Sequence, residues 1–101
     1  MLKEVKVGGF IYKVDYPYAF KERGDLSGQA NLTGLTIRVC DRDAGGELYA
    51  KEKLAEIILH EILHCVDNIY NSNSLEDDQV HRLANGLYQV LKDNDLSELF
   101  K

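Results

Sequence analysis

Apolar residues recur along this chain with two different periods, and the change between them separates a strand-forming half from a helix-forming half. Val5 and Val7, then Phe10, Tyr12 and Val14, recur at period two and predict strands over residues 3–7 and 10–15. Gly8-Gly9 between them predicts a tight hairpin turn. Residues 29–32 and 35–40 flank Thr33-Gly34 and predict a second hairpin. In it Leu35, Ile37 and Val39 share one face, while Thr36 and Arg38 share the other. Residues 16–27 carry no clear period and are consistent with a loop or a short helix. Residues 41–46 are turn-rich and lead into the helical half.

From about residue 47 to residue 70 there is no Pro or Gly, and Leu54, Ile58, Ile62, Val66 and Ile69 form an apolar stripe at helical spacing. A second helix is expected after Asn71-Ser72-Asn73, with Ser74 as its N-cap. Its apolar face would be Val80, Leu83, Ala84, Leu87 and Leu91. Asn94-Asp95 ends it, and Asp95 with Glu98 three residues on has the capping-box spacing for a last turn. Strands first and helices afterwards predict an α+β fold, a small antiparallel sheet packed on two main helices. With no repeat, linker or low-complexity tract, residues 1–101 read as a single domain.

The composition narrows the function. A formal net charge of −5 argues against a duplex nucleic-acid partner, which needs a basic stripe. No apolar run approaches the length of a membrane span, so no membrane association is expected. The first residues lack the apolar region and small-residue cleavage site of a signal peptide. Cys40 and Cys65 are too few for a disulfide framework, which fits a reducing cytoplasm. Cys65 follows a candidate ligand but points about 100° away from it, as a buried thiol would.

The candidate chemistry lies in the first helix. His60-Glu61-Ile62-Leu63-His64 is an H-E-x-x-H segment, and it uses two of the three histidines in the chain. Residues four apart stand on one helix face, so His60 and His64 can offer two imidazole nitrogens to one Zn²⁺ ion. Glu61 lies about 100° round from His60, placed to act as a general base. The alternative is a helix with two half-buried, hydrogen-bonded histidines and a solvated Glu61. Burying an ionisable pair beside a core face without a partner is costly, which favours the metal.

Catalytic zinc takes three protein ligands and leaves one position open. The compact arrangement with a third His six residues after the second fails, because Asp67 and Tyr70 stand where Gly and His are needed. Asp67, one turn below His64, would point along the helix and is expected at the surface or behind a ligand. On the second helix Glu76 falls on the core face, Asp77 about 60° off it, His81 about 100° off it, and Asp78 nearly opposite. Glu76 and Asp77 are therefore the candidates for the third ligand, with His81 as a residual option. Each has a structural role open to it: Asp77 could close a capping box with Ser74, and Glu76 could favour the helix dipole.

With these residues the chain resembles a minimal zincin metallopeptidase, close to the ImmA/IrrE-like group and its small phage-encoded relatives. The resemblance rests on HEILHCVDNIY, EDDQVHRLANGLYQVLKDN and GQANLTGLTIRV, about the last three quarters of the chain. It favours Asp77 over Glu76, since the phage-type relatives carry an acidic residue, usually Glu, three positions before the helix Val. The Glu-Ala-Asn pattern of larger members is absent from residues 1–101, and no helix-turn-helix segment is expected among them. The resemblance implies a zinc-dependent peptidase acting on an intracellular protein or peptide, with Glu61 activating water. It also implies an extended substrate paired to the edge of the strand over residues 35–40. The sequence does not identify the donor to the reacting carbonyl; Tyr70 and Tyr88 qualify only because a phenol can donate, and packing is the expected role of both. The alternative function is a non-catalytic regulatory or binding protein that keeps a structural metal on the same scaffold.

Overall fold

Both period-two pairs form hairpins, and a parallel contact joins them into one sheet. The structure, a computed structural model, describes residues 2–21 and 26–101. Strands β1 (Glu4–Val7) and β2 (Phe10–Asp15) pair antiparallel, with Val7 opposite Phe10, and Gly8 supplies the positive φ of 61° that their turn needs. Strands β3 (Gly28–Asn31) and β4 (Thr36–Val39) pair antiparallel, with Asn31 opposite Thr36. Strand β4 also lies parallel to β2, giving the order β1-β2-β4-β3. The sheet is therefore mixed, whereas the sequence pattern predicted an antiparallel one. Two hairpins can each be read locally, but how they join is set by the layer that covers them.

That layer is helix α1 (Lys51–Tyr70), which lies across β1, β3 and β4. The core is Val7, Tyr12, Val14, Ile37 and Val39 from the sheet, closed by Ile57 and Cys65 from α1. The expected stripe of Leu54, Ile58, Ile62, Val66 and Ile69 is only partly buried and flanks this core. The residues of α1 that are buried are Ile57, Glu61, Cys65 and Asp67. The helix starts four residues later than its composition predicts. Residues 47–50 are drawn into a small loop, where Asp43 Oδ1 accepts the Glu47 N–H at 3.0 Å and Tyr49 N–H donates to the Asp41 carbonyl at 2.9 Å.

Helix α2 (Asp77–Asp93) packs on α1 and on no strand, and a 3₁₀ turn (Ser97–Phe100) follows it. Ser74 is not its N-cap; its hydroxyl donates to the Asn71 carbonyl at 2.6 Å. Asp67, expected outside the core, is 2% exposed and holds the Leu75 N–H from both carboxylate oxygens at 3.3 Å. That anchor keeps the chain extended to Glu76, which becomes the N-cap in a reciprocal box with Gln79. Asp95 accepts the Ser97 N–H at 3.0 Å in the final turn. Of residues 16–27, residues 22–25 lie outside the described residues, and the others form neither helix nor strand. No helix among the described residues is long and apolar enough to cross a membrane.

Candidate metal centre

His60 and His64 stand one turn apart on α1 and reach across to the first residue of α2. His60 Nε2 lies 3.2 Å and His64 Nε2 3.0 Å from Asp77 Oδ1, and the two nitrogens are 3.1 Å apart. Hydrogen bonding alone does not account for this triangle. Each neutral imidazole can carry one proton at Nε2, so at most two of the three contacts can be donated. A single cation serves all three. Ligand atoms around a tetrahedral zinc with bonds of 2.0–2.1 Å are separated by about 3.3 Å, close to these distances. Two imidazoles and a carboxylate are also a donor set that zinc accepts.

Glu76 and Asp77, which the sequence could not separate, have different places. The Glu76 carboxylate accepts the backbone N–H at the third helical position of α2, while Gln79 accepts the Glu76 N–H at 2.8 Å. Its role is the cap. Asp77, one residue on, faces the two histidines. His81 is outside this group, its ring centroid 5.9 Å from that of His60. Asp78 is turned away and pairs with Arg82 on the surface.

His60, Asp77 and Glu61 carry the mark of their surroundings. Burial holds the His60 imidazole below its ordinary pKa; the Asp77 hydrogen bond pulls it back up, and His64 pushes it further down. It is therefore neutral near pH 7, the form that binds a metal. Burial works to raise the Asp77 carboxyl, but the hydrogen bonds and charges of His60 and His64 outweigh it and leave the pKa low. Glu61 is the outlier. Only 6% exposed, it is pushed up to about 7 by burial first and by the Asp77 charge second, against a hydrogen bond from the Ala30 N–H. A carboxyl with that pKa takes and gives a proton close to neutral pH.

Strand β3 makes the room for Glu61. A Cβ on Gly28 would stand 2.8 Å from Glu61 Oε2 and 2.9 Å from Ile57 Cγ2, so only glycine lets the strand lie this close to α1. Gly28 and Ala30 are site residues that sequence reasoning missed, and the one available signal was a glycine inside a strand. The cavity in front of the triad has a volume of about 430 Å³. Gly28 and Ala30 line one wall, α1 forms the floor, and His81 and Asn85 of α2 line the opposite wall. Tyr70 and Tyr88 do not line it; Tyr70 is 70% exposed, and Tyr88 lies beneath the Lys92 ammonium.

Comparison with protein-family models, curated proteins and solved structures gives no match to this chain. Cys65, next to His64 in sequence, is fully buried among core residues, and burial together with the Glu61 charge raises its thiol to about 11. It is a packing residue. The strand expected to receive substrate, β4, is paired on both sides and has no free edge. The sheet edge that borders the cavity belongs to β3.

Proposed function

We propose that this protein is a zincin-like, zinc-dependent metallopeptidase. The observation that carries the reading is the His60, His64 and Asp77 triangle beside a buried Glu61. Those three residues would hold the ion. Zinc at such a site supplies a Lewis acid and lowers the pKa of water towards about 7. Glu61 in its carboxylate form takes a proton from the attacking water and then delivers it to the leaving amine. The Ala30 N–H orients that carboxylate, and the surrounding core excludes bulk water from it. An extended peptide adds to the open edge of β3, where the outward-facing backbone groups other than the Ala30 N–H held by Glu61 are the complement a strand needs.

The competing reading is a binding protein with a structural metal. A structural site has no use for a proton-exchanging carboxylate buried beside its ligands, and Glu61 therefore weighs against it. Metal analysis and one substitution separate the two. Wild-type protein is expected to bind one zinc per chain and to cleave peptides from a proteome-derived library. Glu61→Gln should keep the zinc and lose about 10²–10⁴-fold in kcat. His60→Ala should lose the zinc itself. Equal cleavage by wild type and Glu61→Gln would sink the mechanism. Zinc binding without cleavage by either would leave the structural-metal reading in place.

A further inference from the structure

We propose that His81, oriented by Asn85, donates a hydrogen bond to the carbonyl oxygen of the peptide bond held at the triad. The proposal rests on the peptidase reading above and adds the group that meets the charge developing on the substrate.

The triad is flanked by functional groups from two different elements. Glu61 stands on the β3 side, where the Ala30 N–H reaches it. His81 stands on the α2 side, one turn beyond Asp77, and four-residue spacing puts the two on one helix face. It lines the same cavity as the triad, with its ring centroid 5.9 Å from that of His60, yet it is not in the group that could share a metal. That position suits a contact to something bound at the triad, not a ligand of the ion. Asn85, a further turn along α2, also lines the cavity, and its amide nitrogen is 3.4 Å from His81 Nε2. An amide donating to Nε2 leaves the ring proton on Nδ1, so Nδ1 is the nitrogen that donates to a ligand.

The shape of the cleft points to the same role. Helix α2 touches α1 but not β3, so the two walls stand apart over the floor formed by α1. Alternate carbonyls of an extended peptide paired to β3 point away from that strand, towards α2. A carbonyl aimed that way at the level of Asp77 meets His81. Among the described residues Lys53 is the only lysine or arginine on the cavity wall. It stands seven residues before His60 on α1, about 10 Å along the helix. The His81 ring, with its centroid 5.9 Å from that of His60, stands much nearer the triad. A donor placed where an oxygen turns negative acts on the transition state more than on bound substrate, so kcat should carry the effect.

The test uses zinc-loaded full-length protein, the best-cleaved peptide from the library, and a phosphinic peptide whose anionic tetrahedral group mimics the reacting carbon. His81→Ala should lower kcat about 100–1000-fold with KM changed little, and weaken the phosphinic peptide by a similar factor. Zinc per chain should stay at the wild-type value. His81→Gln, which keeps an N–H donor, should recover part of both losses, and Asn85→Ala should cause a smaller loss of the same kind. Wild-type kcat and wild-type phosphinic affinity in His81→Ala would overturn the proposal while leaving the peptidase reading intact. Loss of zinc in His81→Ala would also overturn it, by making His81 a ligand. A wild-type protein that binds zinc but neither cleaves nor binds the phosphinic peptide would overturn both.

Discussion

Helices α1 and α2 each supply part of the candidate metal centre, but the rest of the molecule holds them very differently. Helix α1 is clamped by β1, β3 and β4 and buries Ile57, Glu61 and Cys65 in the core. Helix α2 touches α1 alone and buries only Val80 and Ala84, leaving Leu83 and Leu91 about half exposed. The α1 side of the site, with His60, His64 and Glu61, is thus built on the rigid part of the fold. The α2 side, with Asp77 and His81, is placed by its packing on α1 through buried Val80 and Ala84 and by the short turn that connects the helices. That turn is governed by Asp67, a buried carboxylate on α1 that accepts the Leu75 N–H and, at 2.9 Å, the Asn71 side-chain amide. Three ligand atoms converge because one helix is fixed by packing on the sheet and the other by packing on that helix together with a hydrogen-bonded anchor.

The contrast can be broken at its hinge, and that should give the largest effect. Asp67→Ala takes a buried acceptor away from the half-buried Leu75 N–H and from the Asn71 amide. It is expected to cost about 3 kcal/mol of stability in urea unfolding. Zinc affinity should fall with it, since Asp77 follows directly on the released segment. A variant with wild-type stability and wild-type zinc affinity would show that α2 is placed by something other than this anchor.

On the α1 side the sharpest probe is pH. In metal-free protein Glu61 titrates at about 7 when folded against 4.5 for the free side chain. A raised folded pKa gives stability that is complete below 4.5 and is lost as pH rises towards 7. Over that window the loss should approach about 3 kcal/mol at 1.36 kcal/mol per unit. Glu61→Gln has no such slope, so it should be more stable than wild type at pH 8 by more than at pH 5. Parallel stability-pH curves for the two proteins would mean that Glu61 is not desolvated. Saturating zinc should flatten the wild-type curve, because a cation beside the carboxylate favours its charged form.

Gly28→Ala tests how closely the clamp fits. The added methyl group meets Glu61 and Ile57 at sub-contact distances, and overpacking of this kind costs about 1–3 kcal/mol. It should lower kcat through displacement of Glu61 while zinc binding stays near normal, since the nearest atoms to the new methyl belong to Glu61 and Ile57 and not to either histidine. The smallest effect belongs to the exposed face of α2. Asp78→Ala removes an i,i+4 ion pair with Arg82, and neither stability nor zinc affinity should change measurably. Comparable losses in Asp77→Ala and Asp78→Ala would deny Asp77 its special place.

Much of this was legible residue by residue. The four strands, both helices and the α+β class follow from period, and His60, Glu61 and His64 follow from spacing. The predicted stripe on α1 packs against the core, but it is not the most deeply buried row of the helix. That row runs through Ile57, Glu61 and Cys65, and a charged residue in it hides it from any reading by hydrophobicity. The cap of α2 was misplaced because Ser74 is a better N-cap than Glu76 by local preference. Asp67 overrides that preference from eight residues away by holding the Leu75 N–H. A residue whose partner lies on another element leaves no local trace.

The sequence by itself determined the elements and the two imidazoles on one helix face, because both depend on spacing within a single segment. Only the tertiary structure decided that Asp77 faces the histidines while Glu76 caps the helix, that Glu61 is buried against Gly28 and Ala30, and that β3 rather than β4 offers the open edge. Each of those depends on the distance between segments that the chain separates by many residues, and that distance is set by how the core packs.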